Sequence, residues 1–183
     1  MANYCRHWLF DYAAMDSVLR TATLQTAPKT VLWTEGLIKA FWDIKRALSS
    51  APALGLPDYA QEFHLHVTEK EGFACGVLVQ MHGSRFRPVA YYSARLSHVV
   101  MGMPGCLKAV AAVAEMIEKS SLIVLDHECT VHVSHAVLHI LNTAATQHIS
   151  AARRSGYEAI ILSKANITLN APLLSSCHSC ANL

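Results

Sequence analysis

The chain has 183 residues, of which 52% are hydrophobic and 15% charged, and its net charge is +2 when the histidines are neutral. This composition provides for a sizeable core and for apolar surface that a partner covers. So small a charge does not by itself indicate nucleic-acid binding, which is typically marked by a strongly basic patch. No apolar run reaches the roughly 18 residues of a membrane span, and the first residues do not resemble a signal peptide. The six dispersed cysteines are typical of a reducing, intracellular compartment.

The first fifty residues are predicted to be helical. A docking helix or a helix pair over Ala2–Ala22 is indicated by apolar residues that recur at spacings of three and four, namely Trp8, Tyr12, Met15 and Leu19. A polar loop containing Pro28 follows. Thr34 is then a suitable N-cap for a second helix over Glu35–Ser49, which has a broad apolar face.

Three antiparallel strands are predicted after the proline-rich linker at 51–58. Alternation of apolar and polar residues marks Phe63–Thr68, Ala74–Met81 and Arg87–Ser93 as these strands. The turns between them fall at Glu69–Gly72 and at His82–Ser84. The strands therefore form a meander.

The remainder of the chain is predicted to alternate helix and strand. Pro104–Lys119 is an alanine-rich helix that packs closely on a sheet, and Leu122–Leu125 resembles a strand. The later elements are a strand at Thr130–Ser134, a short helix at His135–Leu141, a helix at His148–Leu162 and a possible last strand at Ile167–Leu169. After the linker the order is β-β-β-α-β-α, so the fold class is α/β.

That order is the topology of the ribonuclease H-like fold, and several sequence segments resemble a known family. They are Tyr4-Cys5-Arg6 with Trp8, FWDIKRAL at 41–48, APALGLPD at 51–58, the segment 63–80, RPVAY at 87–91, SARL at 93–96, CLKAVAA at 106–112, HAV at 135–137 and Tyr157-Glu158. The chain resembles the Pol-encoded reverse transcriptase of gammaretrovirus-like and epsilonretrovirus-like endogenous elements from about Asn3 to Asn170. The resemblance implies the end of the thumb at 1–50, the RNase H-like connection at 51–170 and a divergent tail at 171–183.

The same resemblance predicts that the chain does not catalyse a reaction alone. The Tyr-x-Asp-Asp turn of the polymerase palm is absent from the sequence, and two-metal chemistry needs clustered carboxylates. The three carboxylate positions of an active ribonuclease H fall, by carry-over, on Thr68, about Leu107 and Ser134. Glu69 is one residue from the first position, which turns its side chain to the other face of a strand.

The resemblance implies a role in linking the polymerase and ribonuclease H modules of Pol and in guiding the RNA–DNA hybrid, or template–primer. The candidates for contacts to nucleic-acid phosphates are Arg85, Arg87, Arg95, Lys108, Arg153 and Arg154. No cofactor is expected for this chain, whereas the parent RNA-directed DNA polymerase and ribonuclease H uses Mg²⁺ or Mn²⁺. Two alternatives stay open: a fragment that contributes to polymerase or ribonuclease H activity in a complete Pol protein, and a host-adopted binding module. A cytoplasmic location is expected, or a virion if the element is intact.

Histidine and cysteine spacings do not predict a metal site. His64 and His66 share one face of a strand but have no third ligand in the sequence pattern. His132, His135 and His139 lack the glutamate of a metalloprotease motif. Cys177-His178-Ser179-Cys180 is a single C-x-x-C pair without the second pair of a structural zinc site.

Overall fold

The computed structural model describes residues 2–24, 27–28, 30–133, 137, 150–162 and 164–171. Its strands are β1 (Phe63–Lys70), β2 (Phe73–His82), β3 (Arg85–Arg95), β4 (Cys129–His132) and β5 (Ile167–Asn170). Its α-helices are α1 (Tyr12–Arg20), α2 (Glu35–Ser49), α3 (His98–Met101), α4 (Gly105–Val124) and α5 (Ala151–Leu162), with 3₁₀ helices at Ala2–Trp8 and Thr21–Thr23.

The five strands form one mixed sheet in the order β3-β2-β1-β4-β5. The pairs β1–β2 and β2–β3 are antiparallel, which confirms the predicted meander. The pairs β1–β4 and β4–β5 are parallel, so each needs a crossover connection. Helix α4 provides the crossover between β3 and β4. The predicted last strand is confirmed as β5.

The β1–β2 hairpin is closed by a turn that depends on Glu69. The backbone N–H of Gly72 donates a hydrogen bond to Oε1 of Glu69 over 2.8 Å. Glu71 and Gly72 both have positive φ, 54° and 81°, as in the turns that suit the twist of a hairpin. A Cβ on Gly72 would also lie 2.9 Å from Sδ of Met101, so a side chain is excluded there by sterics as well as by conformation.

Helix α4 covers one face of the sheet and forms the main core with it. Phe63, Leu65, Leu78 and Val131 are completely buried in this core. Gly76 allows the close approach, because a Cβ there would lie 3.0 Å from Sδ of Met116 on the helix. The alanine-rich sequence of the helix therefore packs as predicted.

The predicted strand at Leu122–Leu125 is wrong, because α4 continues to Val124. Ile117, Ser120 and Val124 keep the buried positions of the helix at spacings of three and four, whereas Leu122 is 85% exposed. The helix ends at Leu125, whose φ is 53°. A short apolar run cannot be assigned to strand or helix by periodicity alone, and here the preceding helix simply extends through it.

The helical segment predicted over Ala2–Ala22 forms two helices, the 3₁₀ helix Ala2–Trp8 and α1, with a break before Tyr12. Asp11 takes a left-handed conformation with φ 57°, and its Oδ1 accepts a hydrogen bond from Sγ of Cys75 over 3.3 Å. The N–H of Ala13, in the first turn of α1, donates to Oγ of Ser93 over 2.9 Å. These contacts to the sheet break the helix, because they satisfy groups that a continuous helix would use internally.

The remaining predictions for helices have mixed outcomes. The N-cap at Thr34 is confirmed, since its side chain accepts a hydrogen bond from the N–H of Leu37. The helix predicted from His148 is observed as α5, whereas α3 was not predicted. The short helix predicted at 135–141 lies outside the described residues, apart from the buried Val137.

Within the part of the chain that is described, no helix is long and apolar enough to cross a membrane.

Candidate functional site

The face of the sheet opposite α4 carries most of the polar side chains of the central strands. Because Phe63 and Leu65 point into the core beneath α4, the alternate residues of β1, His64, His66 and Thr68, point to the opposite side. This opposite face also contains the first of the three carry-over positions.

Two of the three carry-over positions lie among the described residues, and neither is a carboxylate. Thr68 is half-buried on β1 and is paired with Cys75 of β2. Leu107, in the first turn of α4, is 4% exposed. Ser134 lies outside the described residues. A neutral hydroxyl and an isobutyl group do not provide the negative charge that holds a divalent cation.

The carboxylates near these positions either form other contacts or lie elsewhere in the fold. Glu69 accepts the hydrogen bond that closes the β1–β2 turn. Glu115 of α4 forms an ion pair with Lys119 over 3.4 Å. Asp126 and Glu128 precede β4, as the sequence indicated. Across the described ranges, no group of three or more histidine, cysteine, aspartate or glutamate side chains is arranged to hold a metal ion.

The thiol next to Thr68 is not prepared for nucleophilic chemistry. Burial raises the pKa of the Cys75 thiol to about 12, and the negative charge of Asp11 and its hydrogen bond act in the same direction. A thiolate is the reactive form of cysteine, so this side chain is inert near neutral pH.

Three histidines from two strands meet on the face opposite α4. Nδ1 of His64 lies 3.3 Å from Nε2 of His132, although the two residues are 68 positions apart. The rings of His66 and His132 are stacked, with centroids 4.3 Å apart and planes inclined by 7°. The edge of this group meets Phe86 of β3, whose ring centroid is 5.0 Å from that of His64. We call His64, His66 and His132 the histidine cluster.

The environment of the histidine cluster favours neutral imidazoles. Burial, followed by the neighbouring His132 and His64, lowers the pKa of His66 to about 4. Burial, followed by the neighbouring His64, lowers the pKa of His132, while the carboxylate of Glu62 opposes this effect. The sequence predicted the shared face of His64 and His66 but missed His132, because that contact depends on the parallel register that pairs His66 with His132.

Three of the candidate phosphate-binding residues lie on the edge strand β3. Arg85 and Arg95 are exposed at its two ends. Arg87 is exposed as well, but its Nη2 donates to the carbonyl of Leu54 over 3.4 Å and so also holds the linker. The 11-residue strand spans roughly 33 Å at about 3.3 Å per residue, so Arg85 and Arg95 do not belong to one compact patch.

The other three candidates lie on the helices of the opposite layer. Lys108 is half-buried in the first turn of α4, and Arg153 is half-buried at the beginning of α5. Nε of Arg154 is bound to Oε1 of Glu158 over 2.7 Å. The six residues are therefore distributed over both layers and are not gathered into a single basic site.

Residues 33–131 match the family described as the RNase H-like domain found in reverse transcriptase. The chain belongs to this family. The match covers the six elements from α2 through the β1–β2–β3 meander and α3 to α4, and most of β4. The prediction from the sequence segments is thus confirmed at the level of a retroviral reverse transcriptase RNase H-like region.

Viral polyproteins are the relatives of this RNase H-like region. It is 40% identical over 163 residues to the Gag-Pol polyprotein of woolly monkey sarcoma virus, covering 89% of this chain and 10% of that protein. It is 39% identical over 172 residues to the Pol polyprotein of feline endogenous virus ECE1, covering 94% of this chain and 16% of that protein. The chain therefore spans a small fraction of the length of these relatives.

Solved structures confirm the fold of this region. The foamy viral protease-reverse transcriptase dRH in complex with ds DNA matches with a TM-score of 0.79 at 14% identity, over 96% of this chain and 31% of that one. The foamy viral protease-reverse transcriptase in complex with RNA/DNA hybrid matches with a TM-score of 0.77 at 14% identity, over 96% of this chain and 24% of that one. At such identity the likeness establishes the RNase H-like fold.

Proposed function

We propose that this chain is the connection region of a retroviral-type reverse transcriptase, joined to the end of the thumb near residue 50. In this role it links the polymerase and ribonuclease H modules and guides the RNA–DNA hybrid without catalysis of its own. The proposal applies to residues 51–170 as the connection and to the preceding helices as the end of the thumb.

The observation that carries the proposal is the identity of the residues at the carry-over positions. Thr68 stands on β1 where an active ribonuclease H has its first metal-binding aspartate, and the buried Leu107 stands near the place of its helical glutamate. Two-metal hydrolysis stabilises the attacking and leaving oxygens with cations that carboxylates hold in place. Without those carboxylates, the RNase H-like fold supports a structural role better than a catalytic one.

Two observations support the guidance of a hybrid: the placement of basic residues on β3, and the nucleic acids bound in solved structures that share the fold. Arg85 and Arg95 lie at opposite ends of β3, a separation of roughly 33 Å that is close to one turn of a duplex. Two of the matching foamy viral structures are complexes with ds DNA and with RNA/DNA hybrid. Contacts spread along a duplex give affinity without sequence preference.

A link to other Pol modules is supported by the apolar surface of the helical part. Leu32, Trp33 and Trp42 are 67%, 56% and 55% exposed, and Phe41 packs edge-on against both tryptophans. Large aromatic side chains in one exposed group are typical of a surface that another protein module covers. The adjacent polymerase modules are the partners that this proposal implies.

Salt-dependent binding to an RNA–DNA hybrid tests the proposal. We expect the chain to bind a fluorescently labelled hybrid at low salt, with a logarithmic association constant that falls linearly with the logarithm of salt concentration. Arg85→Ala and Arg95→Ala should each reduce the magnitude of that slope by about 1, because each removes one phosphate contact. Lys119→Ala is the matched control, since Lys119 is paired with Glu115 on α4.

The outcomes of this assay separate the proposed role from the alternatives. If the salt dependence is unchanged in both arginine variants, the edge strand β3 does not contact the hybrid. The absence of binding even at low salt would contradict hybrid guidance and favour a host-adopted module that binds protein.

A further inference from the structure

The histidine cluster brings two ring nitrogens to the separation that a bound metal ion requires. Zn²⁺ binds imidazole nitrogen at about 2.0–2.1 Å in tetrahedral geometry, which places two such ligands roughly 3.3–3.4 Å apart. Nδ1 of His64 and Nε2 of His132 are 3.3 Å apart and share a hydrogen bond, whose proton a cation would replace. We propose that His64 and His132 form a two-histidine site for a divalent transition-metal cation of the zinc and nickel class.

The cation class follows from the chemistry of the ligands. Imidazole suits Zn²⁺, Ni²⁺ and Cu²⁺, whereas Mg²⁺ and Ca²⁺ prefer oxygen. The site is thus different in kind from the carboxylate site of a nuclease. It is also independent of the proposed hybrid guidance, since no phosphate takes part in it.

The surroundings of the two nitrogens are compatible with metal binding. Imidazole coordinates a cation through an unprotonated ring nitrogen. Both rings are half-buried, so water has access to complete the coordination. Glu62 accepts a hydrogen bond from Thr130, which is paired with His64 across β1 and β4, so a carboxylate is available near the site.

His66 supports the site without serving as a ligand. Its ring is stacked on that of His132 with an inclination of 7°, and we assign it a supporting role. Stacking over 4.3 Å holds the ring of His132 in orientation. An aromatic residue of similar size can replace this function, and this provides a matched control.

A metal at this place would join two strands that are distant in sequence. His64 is on β1 and His132 is on β4, and these strands form the parallel pair at the centre of the sheet. Because a cation that binds only the folded chain stabilises it by mass action, Zn²⁺ should raise the unfolding midpoint. At ten times the dissociation constant the rise should be about 3 °C for a chain of this size.

The experiment is a titration of the full chain with ZnCl₂, and with NiCl₂ in parallel, in the Cys177→Ser, Cys180→Ser background. That background removes the only C-x-x-C pair of the sequence, which would otherwise compete for zinc. Binding is measured by calorimetry and by the unfolding midpoint. Long-range ¹H–¹⁵N spectra of the histidine rings identify the nitrogens that coordinate.

We expect one saturable site, with the ring signals of His64 Nδ1 and His132 Nε2 shifted on zinc addition. His64→Gln and His132→Gln should each weaken binding at least tenfold, whereas His66→Phe and His98→Gln on α3 should stay within about twofold. The midpoint of each variant without metal is measured first, so that a loss of folding is recognised.

Three results would overturn the proposal. The first is the absence of zinc binding and of any midpoint change in the parent chain. The second is unaltered binding by His132→Gln. The third is a loss in His66→Phe as large as that in His132→Gln, which would assign the ligand to a different ring. The spectra of the parent chain decide the matter even if a variant does not fold.

Discussion

The two faces of the sheet follow different rules. The face beneath α4, which we call the dry face, is apolar: Phe63, Leu65, Leu78 and Val131 are wholly buried there. The opposite face mixes half-buried histidines and Thr68 with a small apolar cluster of Val77, Val79 and Tyr91. The first face contains most of the buried core, and the second face contains Thr68 and the histidine cluster. Under the proposed function, the core maintains the RNase H-like fold while Thr68 on the opposite face does not supply a metal-binding carboxylate.

The largest expected effect is on the dry face. Leu65→Ala should lower the free energy of unfolding by about 2–5 kcal/mol, because it leaves a cavity beneath α4. Urea unfolding monitored by circular dichroism measures the change. The control is Leu122→Ala on α4 itself. This side chain is 85% exposed, so the substitution should change the free energy of unfolding by less than about 0.5 kcal/mol. Equal effects at the two positions would contradict the assigned packing of α4.

The next largest effect is the pH dependence of folding stability that arises from His66 on the opposite face. The pKa of His66 is about 4 in the folded chain and about 6.5 in the unfolded chain, so the unfolded chain binds more protons between these values. The resulting stability is complete above pH 6.5 and is lost as the pH falls toward 4. After allowance for solvent screening, we expect a loss of about 1 kcal/mol between pH 7 and pH 5.

His66→Phe isolates this contribution. The variant keeps an aromatic ring against His132 and removes one titrating group, so unfolding midpoints measured from pH 7 to pH 5 should fall less steeply than in the parent chain. A residual slope is expected because the pKa values of His132 and His7 are also lowered by burial. An unchanged slope would contradict the assignment of His66 as a group that is kept neutral.

The smallest effect concerns the contact of α1 with the opposite face. Ser93→Ala removes the acceptor of the Ala13 N–H bond, which should cost about 1 kcal/mol and speed hydrogen exchange at that amide. Ser121→Ala is the matched control, because the hydroxyl of Ser121 donates only within its own helix, to the carbonyl of Glu118, and is exposed. Protection at Ala13 that survives Ser93→Ala would mean that α1 is held by other contacts.

The dry face could be predicted from the sequence far better than the opposite face. Alternation in Phe63–Thr68 and the alanine-rich repeat after Pro104 are local patterns, and both yielded the observed elements. The break at Asp11 and the meeting of His64 with His132 were missed, because both depend on partners in distant segments. The prediction of a strand at 122–125 was wrong because it rested on a short apolar run. Val124 is instead buried against the sheet as the last residue of α4.

The carry-over positions were available from the sequence only through family resemblance. Thr68 lies on the first strand as predicted, and the sequence also placed Glu69 at the hairpin turn. The structure added that the Glu69 carboxylate accepts a hydrogen bond from the N–H of Gly72. That hydrogen bond could not be read from the sequence, because it depends on the conformations of Glu71 and Gly72.

The central claim is that this RNase H-like region guides a hybrid and does not cut it, and a hybrid-cleavage assay on the full chain tests it most directly. A labelled RNA–DNA hybrid is incubated with excess chain in Mg²⁺ or Mn²⁺, beside a Glu69→Gln variant that keeps an oxygen acceptor for the turn. We predict binding without cleavage, and identical behaviour of the variant. Metal-dependent cleavage by the chain that Glu69→Gln abolishes would contradict the account.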